Sequence, residues 1–283
     1  MKKAGWLPLL AAAAAALWAL IAPQPQALPA MAPAQQQENL FAMDTAAPGD
    51  GFTVEVLGAA QPARVLIYHT HTYEAFEQTA DAPYRETEKW RTADSRHNMV
   101  RVGEELAALL RALGMEVTHD ATAFEPPSLS TAYARSLAML EARAAAGERY
   151  DLYIDLHRDA YAASYGGGNT VSVGGAETAK LMVLIGKGEG QTGQGFDEKP
   201  DWQRNLAVAQ RITDALNAQT SGLCRDVCLR SGRYNQHVAD ACVLIEAGNN
   251  RNTLAQVLAA MPPLADAIAQ ALAENGSLSS KNP

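Results

Sequence analysis

Four short segments hold the side chains of this chain best suited to chemistry. One reads Tyr68-His69-Thr70-His71-Thr72-Tyr73-Glu74, and a second reads Asp155-Leu156-His157-Arg158-Asp159. A third reads Leu244-Ile245-Glu246-Ala247-Gly248, and the fourth is Arg91-Thr92-Ala93-Asp94-Ser95-Arg96-His97-Asn98. Two imidazoles and one carboxylate can hold a zinc ion with a fourth position open for water. A further carboxylate nearby can take the proton of that water. A lone histidine is usually an ordinary core or surface residue. His71 and His157 differ because each follows an apolar run that ends in polar, metal-competent residues. They do not form a compact motif such as His-Glu-x-x-His, so spacing alone does not fix the ligand set.

The elements that must position these segments alternate in type. Val65-Leu66-Ile67-Tyr68 reads as a buried strand. Met99, Val102, Leu106, Leu109, Leu110 and Leu113 recur at helical spacing, and Gly114 suits the helix end. Met115 to Thr118 reads as a second strand. Ser130 or Thr131 is placed to cap a helix that ends near Gly147. Strands follow at Leu152 to Leu156, Lys180 to Ile185 and Cys242 to Ile245. Helical patterns run from Asp201 to Ala218 and from Asn252 to Glu274, the latter expected to break at Pro262-Pro263. This alternation predicts one α/β domain with a mainly parallel central sheet flanked by helices. In such sheets ligands bind beyond the carboxyl ends of the strands, which is where three of the four segments fall.

Composition narrows the partners. Among 283 residues, Lys and Arg number 23 and Asp and Glu 31, a formal net charge of −8. That balance argues against nucleic acid as a partner, since tracking phosphates needs a basic surface. Lys2 and Lys3 precede a charge-free run from Trp6 to Ala22. A basic flank before an apolar run directs export. The Ala-x-Ala sites at Ala30 and Ala32 lie far beyond the run, which favours an anchor over a cleaved signal peptide. The expected organisation is an anchor over 1–22, a Pro- and Gln-rich linker over 23–60 and a catalytic domain over 61–283. The location expected is the cell membrane, with the domain outside the cytoplasm.

Motifs spread over almost the whole domain resemble the stage II sporulation protein P family. They are Tyr68-His69-Thr70-His71-Thr72-x-Glu74, Arg91-Thr92-x-Asp94-Ser95-x-x-Asn98 and Ile154-Asp155-Leu156-His157-Arg158-Asp159. Arg233-Tyr234-Asn235-Gln236 and Leu244-Ile245-Glu246-x-Gly248-x-x-x-Asn252-Thr253 complete the set. The resemblance implies an amidase_3-like fold within the zinc-dependent N-acetylmuramoyl-L-alanine amidase superfamily. It implies hydrolysis of stem peptides from peptidoglycan, with an endopeptidase activity also attributed to the family, during engulfment in endospore formation. The partners it implies are stage II sporulation proteins M and D.

Carried over residue by residue, the resemblance makes His71, Asp94 and His157 the zinc ligands and Glu246 the general base. Asp94 stands four residues before Asn98, where the wider superfamily usually has Glu. His69 and His71 point the same way along an extended segment, so parity cannot separate them; His71 is favoured because it lies nearer the exposed end. His69, Glu74 and Arg158 are expected to contact substrate or to hold a ligand in place, Arg158 by gripping a carboxylate of the stem peptide. Tyr234 and Asn235 suit a substrate groove or a turn equally. His97, His119 and His237 are read as non-catalytic. Cys224 and Cys228 would lie about 13 Å apart in an extended segment, too far for a disulfide, and Cys242 reads as a core residue. The alternative function is a non-hydrolytic wall-binding or scaffold protein of the engulfment complex.

Overall fold

The computed structural model describes residues 61–161, 168–189 and 198–279, and side chains as far as residue 273. The expected anchor and linker lie outside the described residues. Among the described residues no helix is long and apolar enough to cross a membrane.

The central sheet has six strands: β1 (Arg64–Tyr68), β2 (Glu116–His119), β3 (Leu152–Asp159), β6 (Leu181–Gly186), β7 (Cys228–Arg230) and β8 (Cys242–Asn249). Their spatial order is β2-β1-β3-β8-β6-β7. All neighbours run parallel except β6 and β8, which are antiparallel. A separate hairpin pairs β4 (Thr170–Val173) with β5 (Ala176–Ala179). This is the mainly parallel α/β architecture expected. The hairpin and β7 were not anticipated: β7 has only three residues, and neither it nor the hairpin carries an apolar run.

Period-two alternation divides the sheet between two layers. Val65, Ile67, Ile154, Leu156, Val243 and Ile245 face the larger core. That core is closed by helices α1 (Met99–Ala112), α3 (Trp202–Gln219) and α5 (Met261–Ser279). Leu66, Tyr68, Tyr153 and Cys242 point the other way, onto Leu140 of α2 (Ala132–Ala145). Asp155 and His157, at i+2 and i+4 from Tyr153, therefore emerge on the α2 side of the sheet.

Local chemistry sets the helix ends. The Asn98 side chain caps α1 by accepting from the Val100 N–H. Thr131 stands at the N-terminus of α2 but forms no capping bond; its hydroxyl donates instead to Ser128 O. The expected break at Pro262-Pro263 lies earlier. The short α4 (Leu254–Leu258) ends first, and both prolines sit in the opening turn of α5. There a missing N–H leaves no helical bond unmade.

Candidate functional site

Three parallel strands deliver the site. Tyr68 pairs with Asp155 between β1 and β3, and His157 pairs with Glu246 between β3 and β8. Adjacent strands lie about 4.8 Å apart, so this register alone sets His157 beside Glu246. Register shifts between His157 and Asp159, and the ladder resumes with Asp159 opposite Asn249. The segment following β1 then folds back, with the Arg158 N–H donating to Glu74 Oε2 at 3.1 Å.

The result is a cluster of His71, Glu74, Asp155, His157 and Glu246. The rings of His71 and His157 stand edge to face with centroids 5.2 Å apart, and Tyr133 of α2 packs against both. His157 Nε2 lies 2.8 Å from Asp155 Oδ1, while its Nδ1 lies 3.6 Å from Glu74 Oε2. Asp155 is fixed from the far side. It accepts from the Thr70 N–H at 2.8 Å and from the Thr70 hydroxyl at 2.7 Å.

Electrostatics follow from burial and these partners. Burial alone would lower His157, but Asp155, Glu74 and Glu246 outweigh it and push it up to about 9. Burial would raise Asp155, yet His157 and the Thr70 bonds hold it below the usual carboxylate range. Glu246 is pushed up to about 8 by burial, opposed by His157 and reinforced by Glu74, Asp159 and Asp155. Burial and His157 bring His71 down to about 4, so it is neutral at pH 7. A neutral imidazole is the form that can ligate a metal.

Not every expected residue joins the cluster. Asp94 does not: its carboxylate is gripped by the Arg96 guanidinium, at 2.9 and 2.7 Å, and faces His97 Nδ1 at 3.3 Å. Its loop carries it to the surface, and Glu74 supplies the carboxylate beside His157 instead. His69 also turns away. Its Nδ1 meets Leu156 O at 2.9 Å and its Nε2 meets His119 Nε2 at 2.8 Å. Arg158 holds backbone, not an open cleft: its guanidinium donates to Ala75 O, Asp159 O and Trp90 O. Asn235 binds Tyr133 O and Ser136 Oγ, tying its loop to α2, and Tyr234 rests against Tyr133. All three cysteines are free, and Cys242 is buried.

Sequence reasoning passed over Asp155, Tyr133 and Glu125 as site residues. Asp155 was legible, standing two residues before His157 on the same strand face. Glu125 had no local mark, and reaches His71 only through the tertiary fold.

As placed, no three His, Cys, Asp or Glu side chains among the described residues converge closely enough to hold a metal ion. The donor chemistry nevertheless fits zinc. Glu246 Oε2 is buried without a hydrogen-bond partner, on the strand beside His157. The 3.6 Å between His157 Nδ1 and Glu74 Oε2 is too long for a hydrogen bond. Two donors at about 2.0 Å from one tetrahedral zinc stand roughly 3.3 Å apart, so only a small inward shift is required.

A family model described as "Stage II sporulation protein P (SpoIIP)" matches residues 30–269. This chain belongs to that family. Stage II sporulation protein P of Bacillus subtilis (strain 168) is 22% identical over 217 residues, which cover 73% of this chain and 50% of the relative. The chain thus spans about half the length of the curated family member it matches. Among solved structures, it is similar to the CwlD amidase of Clostridioides difficile, solved in complex with the GerS lipoprotein. That likeness is 14% in identity, covers 76% of this chain and 99% of the other, and has a TM-score of 0.47. The catalytic domain of the CD27L endolysin, which targets Clostridia difficile, is 17% identical over 75% of this chain and 97% of its own, with a TM-score of 0.45.

Proposed function

We propose that this family member is a zinc-dependent peptidoglycan hydrolase, an N-acetylmuramoyl-L-alanine amidase acting in engulfment. The observation that carries the reading is the pairing of Glu246 with His157 across β3 and β8, beside Glu74 and His71. In this reading His71, Glu74 and His157 hold the metal, with Glu74 replacing Asp94 of the sequence expectation. Zinc, when bound, supplies a lowered pKa to a coordinated water and polarises the scissile carbonyl.

The chain's own residues carry the proton. Glu246 is buried and raised toward neutrality, the range in which a carboxylate can both accept a proton and give it up. It takes the proton of the attacking water and passes it to the amine of the departing L-alanine. Asp155 holds His157 through Nε2 and leaves Nδ1 toward Glu74. Tyr133 packs on both imidazoles and restricts their rotation.

The same reading places Trp6–Ala22 in the membrane as an anchor, with the domain outside the cytoplasm. It also takes stage II sporulation proteins M and D as partners. Cleavage of peptide cross-links is the second activity proposed.

The test is release of stem peptides from purified peptidoglycan, with zinc content measured on wild type and on Glu246→Gln. The variant is expected to retain zinc and lose hydrolysis by about 10²–10⁴-fold. A wild type that binds zinc yet releases nothing, even with both partners added, favours the scaffold reading instead.

A further inference from the structure

The two imidazoles of the cluster share an arrangement that the reading above does not use. His157 turns Nε2 to Asp155, a carboxylate anchored on Thr70. His71 turns Nδ1 to another buried carboxylate, Glu125, whose Oε1 lies 3.7 Å away. Glu125 is also anchored on the segment after β1, through the backbone of Tyr73. Its other partner is the Arg91 guanidinium, in contact with the same Oε1.

Glu125 is only 6% exposed. Burying a carboxylate is unfavourable unless its partners compensate. The backbone around it is fixed as well: Arg135 of α2 donates to Phe124 O, Glu125 O and Ser128 O at 2.6, 2.9 and 2.6 Å. The carboxylate is therefore set in place from both ends, with one oxygen toward His71.

We infer that Glu125, pinned by Arg91, is a positioning residue for His71. Across 3.7 Å, longer than a direct hydrogen bond, its charge favours the proton of the His71 ring on Nδ1 and leaves Nε2 to face the metal. Glu125 touches neither substrate nor metal and acts through the imidazole. Carboxylates that accept the distal N–H of a metal-bound histidine fix its tautomer and raise its basicity, and their loss typically weakens metal binding by about 10–100-fold. The plainer account is a strut, with the Arg91–Glu125 pair merely fastening the loop before Pro126 to the loop after Trp90. A strut would change stability and leave metal affinity alone.

The inference rests on the zinc reading of the site, and one experiment separates the two. Zinc dissociation constants are measured by competition with a chromophoric chelator for the full chain, Glu125→Gln and Arg91→Gln, with thermal midpoints recorded in parallel. Glu125→Gln keeps shape but cannot receive the Nδ1 proton as an anion. Arg91→Gln leaves the carboxylate in place but unpinned, and serves as the reading if Glu125→Gln does not fold. Zinc affinity at least tenfold weaker in a folded variant supports the positioning role. Affinity changed by less than tenfold, whatever the midpoint does, overturns it. A wild type that binds no zinc overturns the metal site itself, and the positioning role with it.

Discussion

His69 Nε2 stands 2.8 Å from His119 Nε2, and this contact decides which histidine of the His-Thr-His segment is free for chemistry. Leu156 O can only accept, so Nδ1 of His69 carries the proton in the bond at 2.9 Å. In a neutral ring Nε2 of His69 is then the acceptor, and His119 donates to it. Both ring nitrogens of His69 are committed, whereas His71 keeps one for the cluster.

This pair predicts an acid-sensitive fold. Burial, with His119 close by, brings His69 down to about 3, and burial lowers His119 as well. The unfolded chain takes up the proton first, near pH 6.5, so stability is full above that value. It falls as pH drops from 6.5 toward 3. Between pH 7 and pH 5 one such histidine accounts for about 2 kcal/mol. Urea unfolding at both values should show His69→Gln less stable than wild type at pH 7 but with a smaller loss at pH 5. An equal loss in both proteins would remove His69 as the titrating group.

Gly103 on α1 makes room for this pair. A Cβ there would come within 2.5 Å of Nε2 on both His69 and His119. Ala normally stabilises a helix interior by about 1 kcal/mol relative to Gly. Here overpacking should dominate, because rings held by Leu156 O and by each other have nowhere to retreat. Gly103→Ala is expected to lower stability by about 1–3 kcal/mol, read from the urea midpoint. A stabilised variant would show that the histidines yield easily.

The fold was legible wherever apolar runs were long: β1, β3, β6, β8 and helices α1, α2 and α3 stand within a few residues of their expected places. That His157 and Glu246 share one edge of the sheet was legible too, since both lie toward the carboxyl ends of expected strands; that those strands are neighbours was not. Loop geometry was not. Asp94 was singled out by its spacing from Asn98, but spacing does not record that Arg96, two residues on, would take its carboxylate. Glu74 was visible as a motif residue, while its approach to His157 depends on the Arg158 N–H, 84 positions away. Glu125 lacked any motif, because its partners Arg91 and His71 meet it only through tertiary packing.

Arg158 yields a stability prediction where the sequence suggested a substrate contact. Its fork reaches three carbonyls on three stretches of chain, at 2.8, 3.2 and 3.2 Å. A lysine amine is a single point and cannot span them. Arg158→Lys should therefore destabilise nearly as much as Arg158→Gln, by about 1–3 kcal/mol, as read from thermal or urea unfolding. A lysine variant as stable as wild type, with a KM raised for substrate, would restore the role of gripping a stem-peptide carboxylate.

The sharpest contrast is between Glu74 and Asp94. Both were candidates by sequence, and the structure separates them: Glu74 Oε2 lies 3.6 Å from His157 Nδ1, while Asp94 is held by Arg96 in its own loop. If Glu74 is the carboxylate ligand, Glu74→Gln should bind zinc at least about tenfold more weakly, since a neutral amide is a poorer donor to a dication than a carboxylate and each outer contact alone is worth about that much. The fold should survive, because the Gln carbonyl can still accept from the Arg158 N–H. Asp94→Asn should keep wild-type zinc affinity and peptide release, and lose only the local Arg96 and His97 contacts. Competition against a chromophoric chelator reads the affinity, and unfolding midpoints confirm that both variants are intact. Zinc lost from Asp94→Asn and retained by Glu74→Gln would reverse the assignment. It would mean that the loop from Arg91 to Asn98 swings inward when the metal binds, carrying Asp94 away from Arg96 to the site its spacing first suggested.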